Sequence, residues 1–144
     1  MLPTVTEPST GLAEPQKNPA VEKSAANRIL IVEDEKPLSH ALAMKLKHEG
    51  FETDLATNGE EAIQKLKDQS YDMVLLDLIM PVIDGFGVLE DIRSRKLMTP
   101  VIILSNLGQD EDRAKAKELG AIDYFVKSNT PIADIVTRVK AVIN

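Results

Sequence analysis

The sequence predicts an α/β fold in which a doubly wound parallel sheet of five strands lies between two layers of helices, a three-layer sandwich. Two observations carry that prediction. From Arg28 onward, short apolar runs alternate five times with segments of helical period, and such βα alternation builds a parallel sheet covered on both faces. Three of the runs, starting at residues 29, 73 and 101, are unbroken, as central strands buried on both sides require.

Residues 1–27 precede that pattern. They hold four of the eight prolines, at 3, 8, 15 and 19, among Ser, Thr, Glu and Ala. No strand or helix period emerges, so they read as a flexible N-terminal tail, with 28–144 as one domain.

The first strand, 29–32, runs into Glu33-Asp34, and a helix follows near 37–49, stopped by Gly50. The second strand, 51–56, is "FETDLA", which alternates polar and apolar and so belongs at an edge. Asn58 with Glu61 three residues later is a capping pattern for a helix over 59–69. The third strand, 73–76, ends in Asp77, and a loop through Met80 and Pro81 leads to a helix at 85–95, with Gly85 marking a backbone position that needs freedom. The fourth strand, 101–104, precedes a helix at 108–119 that should stop at Gly120. The fifth, 121–126, is mixed in character, hence the other edge. Thr130-Pro131 should cap the last helix with proline at its first position. That helix carries Ile132, Ile135, Val136, Val139, Val142 and Ile143 as one stripe. With right-handed crossovers the strand order is 2-1-3-4-5, the flavodoxin-like order.

Composition excludes several functions. The chain has no cysteine, so disulfides and thiolate metal sites are out, and His40 and His48 are too few for a histidine-built zinc site. No apolar run approaches membrane-spanning length, and no basic-then-apolar leader opens the chain, so a cytoplasmic location is expected. A net charge of −6 argues against direct binding of nucleic acid, which needs clustered Lys and Arg.

In a parallel sheet the strand C-termini share one edge, and ligands bind there. Four of the five strands end in reactive or charged residues: Glu33-Asp34, Asp77, Ser105 and Lys127. Taken singly, an acid after a strand is usually a solvated turn residue or a cap, a lysine after an edge strand is surface, and a serine is a turn former. Their convergence on one edge outweighs those readings. Grouped carboxylates repel unless a cation sits among them. Oxygen ligands without His or Cys suit Mg²⁺, which also accepts waters and a phosphate oxygen. An aspartate is already ionised and can attack phosphorus without a base, provided the incoming charge is neutralised. Asp77, flanked by acids on one side and by Ser105 and Lys127 on the other, is placed as a phosphoryl acceptor.

At this point the chain resembles the receiver domain of two-component response regulators, to which the chemotaxis regulator belongs. The resemblance runs from Arg28 to Asn144 on Glu33-Asp34, "DLIMPVIDG", "ILSN" and "GAIDYFVK". It implies that Asp77 is phosphorylated by a sensor histidine kinase or a histidine phosphotransfer protein. It implies that Asp34, Asp77 and the backbone carbonyl of Ile79 ligate Mg²⁺, with Glu33 acting through water. Ser105 and Lys127 would hold the phosphoryl group, and Tyr124 would be the switch aromatic whose ring turns inward as Ser105 is drawn over. The output would be a surface of helix 4, strand 5 and helix 5, acting on a downstream protein or on a second copy. Helix 4, "QDEDRAKAKELG", offers few apolar residues to the core and should be the least anchored element.

Two positions depart from the family's usual residues. Asn106 stands where a small residue is common, and it is expected to restrict access to the acceptor. Ser128 stands where a proline commonly follows the lysine through a cis bond. Two outcomes are open there, a strained cis Lys127-Ser128 bond or a trans bond with a rebuilt "KSNTP" loop; the cis form is favoured because Lys127 must still reach Asp77. The chain stops with the fifth helix, so a stand-alone receiver and one excised from a larger protein both fit. The protein is expected to be no enzyme beyond Mg²⁺-dependent self-phosphorylation and autodephosphorylation. A phosphatase with an aspartyl-phosphate intermediate would need an acid where Ile79 stands. A flavin carrier would meet phosphate repulsion from "EDE". A receiver kept for interactions alone would not need the full set of acids and Lys127.

Overall fold

The computed structural model describes residues 26–143. The tail assigned to residues 1–27 lies outside the described residues except for its last two. The elements run β1 (Arg28–Val32), α1 (Lys36–His48), β2 (Glu52–Ala56), α2 (Gly59–Asp68), β3 (Met73–Leu76) and α3 (Gly85–Ser94), then β4 (Val101–Ser105), α4 (Asp110–Glu118), β5 (Asp123–Val126), a single 3-10 turn (Lys127–Asn129) and α5 (Ile132–Ile143). The strands form one sheet in the order β2-β1-β3-β4-β5, and every pairing is parallel.

Period-two alternation along the central strands divides the core between the two faces. Ile29, Ile31, Met73, Leu75, Ile102 and Leu104 pack with Leu42 and Leu46 of α1 and Val136 and Val139 of α5. Leu30, Val32, Val74, Leu76 and Ile103 point the other way, onto Ala62 and Leu66 of α2 and Val88, Leu89 and Ile92 of α3. Each of the Val, Leu, Ile and Met side chains contributes about 1.5–3 kcal/mol by leaving water, so the central strands are the rigid platform of the molecule. By contrast, α4 buries only Ala116. No helix among the described residues is long and apolar enough to cross a membrane.

Helix ends follow the local chemistry with two differences. The Glu61 N–H donates to Asn58 Oδ1 at 2.8 Å, but the Glu61 carboxylate reaches back to the N–H of Thr57, at 2.6 Å, and not to that of Asn58. Gly50 and Gly120 stop their helices in the left-handed region, at φ 98 and 107. The cap expected of Thr130 is corrected: its hydroxyl donates to the Val126 carbonyl at 2.9 Å. The first intrahelical bonds, from the Asp134 and Ile135 N–H groups, end on the Pro131 carbonyl, and α5 begins at Ile132, so the proline itself is the cap residue.

Gly85 is required for a reason other than the conformational freedom expected of it. A Cβ there would stand 2.7 Å from Leu78 Cα and closer still to the Asp77 carbonyl. The start of α3 is thus pressed against the backbone of the residue that ends β3, and the Gly85 N–H closes the loop onto the Leu78 carbonyl at 3.0 Å.

Candidate functional site

Parallel hydrogen bonding continues one residue past the ends of β1 and β3. The Asp77 N–H donates to Val32 O at 3.0 Å and the Glu33 N–H to Ala56 O at 2.9 Å. That extension fixes Asp77 and Glu33 on the most rigid strands, where their side chains are 4% and 2% exposed. Ser105, the last residue of β4, is fully buried. These three and Ser39 are the buried polar residues among those described, so the polarity of the interior is concentrated at one edge of the sheet. Buried polar groups are costly unless partnered, which makes their partners informative.

Lys127 is the hub. Its Nζ lies 2.8 Å from Glu33 Oε1, 3.0 Å from Asp77 Oδ2 and 3.2 Å from Glu35 Oε1. The second Asp77 oxygen, Oδ1, accepts the Ile79 N–H at 3.1 Å. Although close, the contact to Glu33 is misaligned, and Glu33 Oε1 remains a buried oxygen without a hydrogen bond; the other oxygen, Oε2, accepts the Glu35 N–H at 3.0 Å. Asp34 is exposed at the rim. Carboxylate oxygens of Glu33, Asp34 and Asp77 all lie within 4.8 Å of one another.

The electrostatics follow from that crowding. Burial pushes the Glu33 carboxyl up to about 7, Lys127 and the Glu35 N–H oppose the rise, and Asp77 adds to it. Burial also raises the Asp77 carboxyl, against the pull of Lys127 and the Ile79 N–H. Burial would lower the Lys127 ammonium, but the carboxylates of Glu33 and Asp77 more than offset it and hold the amine protonated far into the alkaline range. One ammonium thus faces more negative charge than it neutralises. An unsatisfied buried carboxylate oxygen, an all-oxygen donor set and an open rim fit a hard divalent cation.

Asp34, Glu35, Asp77, Ile79, Asn106 and Lys127 line one cleft. Asn106 is not a free gate: its Oδ1 accepts the Ser128 N–H at 3.2 Å. Ser105 lies beneath, its Oγ accepting the Leu107 N–H at 3.2 Å. Tyr124 sits apart from the acids, on β5. Its hydroxyl donates to the Leu107 carbonyl, and the Arg113 guanidinium lies 4.8 Å from its ring centre. Burial and then Asp112 raise the Tyr124 phenol, while Ser105 opposes the rise. The favoured cis Lys127-Ser128 bond is corrected, since no peptide bond among the described residues is cis. The chain instead turns at once into the 3-10 segment Lys127–Asn129, and Lys127 reaches Asp77 from a trans bond, without the ~2.5–4 kcal/mol a cis non-proline bond would cost.

Sequence reasoning did not single out Glu35 or Leu107. Glu35 was visible as the third acid of "EDE", but nothing local said that it would turn toward Lys127. Leu107 acts through its backbone, which leaves no signal in residue type.

The fold and site together define a doubly wound α/β domain with an acid cluster and a lysine at the C-terminal edge of its parallel sheet. Residues 29–140 match the family model described as the response regulator receiver domain. The chain belongs to that family, the receiver domains of two-component response regulators. It is 40% identical over 123 residues to the transcriptional regulatory protein ResD of Bacillus subtilis, covering 85% of this chain and 50% of ResD. It is 41% identical over 118 residues to SrrA of Staphylococcus aureus, also a transcriptional regulatory protein, covering 82% of this chain and 48% of SrrA. The chain therefore spans about half the length of these curated relatives. The net charge of −6 that disfavours nucleic acid is that of these 144 residues alone, about half the length of these transcriptional regulatory relatives. Among solved structures, the receiver domain of the Francisella response regulator 1452 superimposes with a TM-score of 0.77 at 30% identity, covering 81% of this chain and 96% of that one. The CheX–CheY–BeF3–Mg²⁺ complex of Borrelia burgdorferi gives 0.76 at 32% identity, covering 82% and 90%. Receiver domains bind Mg²⁺ through an acidic cluster, and response regulators are partnered by histidine kinases.

Proposed function

We propose that residues 28–144 form a receiver unit that accepts a phosphoryl group on Asp77. The observation that carries this reading is the placement of Asp77: buried on the central strand, with Lys127 Nζ 3.0 Å from one oxygen and the Ile79 N–H on the other. The P–N bond of a donor phosphohistidine, on a histidine kinase or phosphotransfer protein, breaks as a P–O bond forms to an Asp77 oxygen. The departing imidazole nitrogen takes a proton from solvent. Lys127 orients the carboxylate and offers its charge to the phosphoryl oxygens, and Ser105 supplies a hydroxyl donor. Mg²⁺ would be held by Asp34, Asp77 and the Ile79 carbonyl, with Glu33 acting through water, and when bound supplies neutralisation of charge on the transferred group. An exposed, apolar Ile79 stands where a general acid would be needed, so turnover of an external phosphate ester is not part of the reading.

Phosphorylation would be read out through α4, β5 and α5. In support, α4 is fastened by one buried side chain, and Tyr124 joins β5 to the loop that follows Ser105. Incubation with acetyl phosphate and Mg²⁺ should add one phosphoryl group by intact mass, and Asp77→Asn should abolish the addition while the fold persists. Phosphopeptide mapping to Asp34, or to Asp84, which caps α3 through the Gly87 N–H at 2.9 Å, would refute the assignment.

A further inference from the structure

The segment Ser105–Leu107 is tied down at three points. The Leu107 N–H donates to Ser105 Oγ at 3.2 Å, the Tyr124 hydroxyl donates to the Leu107 carbonyl, and the Ser128 N–H donates to Asn106 Oδ1 at 3.2 Å. The first tie is local and the second runs to the adjacent strand. Only the third crosses from the loop after Ser105 to the turn after Lys127. It therefore joins the two loops that carry the groups on the β4–β5 side of Asp77, and it does so at the rim of the acceptor cleft, which Asn106 lines together with Asp77 and Lys127.

Both halves of that bond depend on residue type. An alanine at 106 would have no oxygen to offer, and a proline at 128 would have no N–H to give. The turn also positions the donor: the Thr130 hydroxyl on the Val126 carbonyl, at 2.9 Å, closes Val126–Thr130 and leaves the Ser128 N–H facing the β4–α4 loop. Beyond the bond, α4 gives the loop little anchorage, with Ala116 its single buried residue.

The geometry points to Asn106 and Ser128 as a latch that clasps the β4–α4 loop to the turn after Lys127, holding the acceptor site in its resting arrangement and slowing phosphoryl uptake. This rests on the phosphoacceptor reading above and adds a positioning pair to it. It differs from obstruction by the bulk of Asn106, because a latch needs the amide oxygen and bulk does not.

Asn106→Leu retains the volume and removes the oxygen, whereas Asn106→Ala removes both. Two readouts apply to each: exchange of the Ser128 amide by NMR, and the rate of phosphoryl uptake from acetyl phosphate with Mg²⁺. The latch predicts that both variants speed Ser128 exchange and speed uptake alike, by roughly fivefold, the size of one net hydrogen bond. If Leu keeps the parent uptake rate and only Ala is faster, bulk is the gate and the latch is wrong. Unchanged Ser128 exchange in both variants would also overturn it. No uptake by the unmodified protein would overturn the phosphoacceptor reading and the latch's effect on rate together, a result distinct from either of the others.

Discussion

Lys127 Nζ stands 2.8 Å from Glu33 Oε1, yet that buried oxygen accepts no hydrogen bond. The ammonium donates to Asp77 and Glu35, and it meets Glu33 as an ion pair outside hydrogen-bonding angles. One positive charge also cannot balance Glu33, Asp34 and Asp77 together. The first prediction follows from that imbalance. Mg²⁺ should stabilise the fold by about 1.4 kcal/mol at a free concentration tenfold above its dissociation constant, a rise of a few degrees in Tm. Asp34→Ala should remove most of the rise, and a Tm that ignores millimolar Mg²⁺ in the unmodified protein would count against the site.

The same crowding sets a pH dependence without added cation. Glu33 is held up to about 7 by burial, from an ordinary 4.5, and Asp77 is raised in the same direction. The folded state therefore binds more protons than the unfolded chain between those values. The contribution of Glu33 is complete below 4.5 and is lost as the pH rises through about 7. Thermal unfolding in chelator should show a higher Tm near pH 5.5 than near pH 7.5 from this group, and saturating Mg²⁺ should shrink the difference. Equal slopes with and without Mg²⁺ would show that the cation does not meet these carboxylates.

Strand identity and order were legible because burial on both faces demands unbroken apolar runs, as in Met73–Leu76, and edge strands do not. The strand-end residues Glu33, Asp77, Ser105 and Lys127 were legible for a related reason: topology alone brings parallel C-termini together. What stayed hidden lies in contacts between loops remote in sequence. Glu35 meets Lys127 across 92 positions, and Asn106 meets Ser128 across 22. No local period encodes either. The trans Lys127-Ser128 bond and the cap at Pro131 were missed because each depends on how one turn closes, which the dipeptides alone leave open.

Glu35 yields the third prediction. It lies at the mouth of the cleft, exposed, and draws Lys127 by a hydrogen bond of 3.2 Å. Glu35→Gln removes a negative charge that repels anionic donors and frees part of the lysine charge for the phosphoryl group. Uptake from acetyl phosphate should quicken by roughly two- to fivefold at low ionic strength, with the gain fading as salt screens it. Stability should change by less than about 0.5 kcal/mol, as for other exposed substitutions. A rate that does not respond at low salt would remove Glu35 from the mechanism.

The loop from Leu78 to Gly85 supplies a prediction with two opposite signs. Gly85 has no room for a Cβ, since one would stand 2.7 Å from Leu78 Cα and nearer to the Asp77 carbonyl, and both are backbone on a buried strand end. Gly85→Ala should therefore cost about 1–3 kcal/mol, as overpacking does. It should also slow phosphoryl uptake, because the atoms that must yield belong to the acceptor and its neighbour. Val82, three residues earlier, has the opposite fault. It is β-branched, exposed, and held at φ 71, a left-handed conformation that costs an L-residue roughly 1–2 kcal/mol and that Asn tolerates far better. Val82→Asn should raise the urea midpoint by the equivalent of about 1 kcal/mol, with little burial lost. It should leave uptake near the parent rate, because Val82 is exposed and is not among the residues that line the acceptor cleft. If Gly85→Ala unfolds at the parent midpoint and also takes up phosphoryl at the parent rate, the close approach of α3 to Asp77 does not position the acceptor.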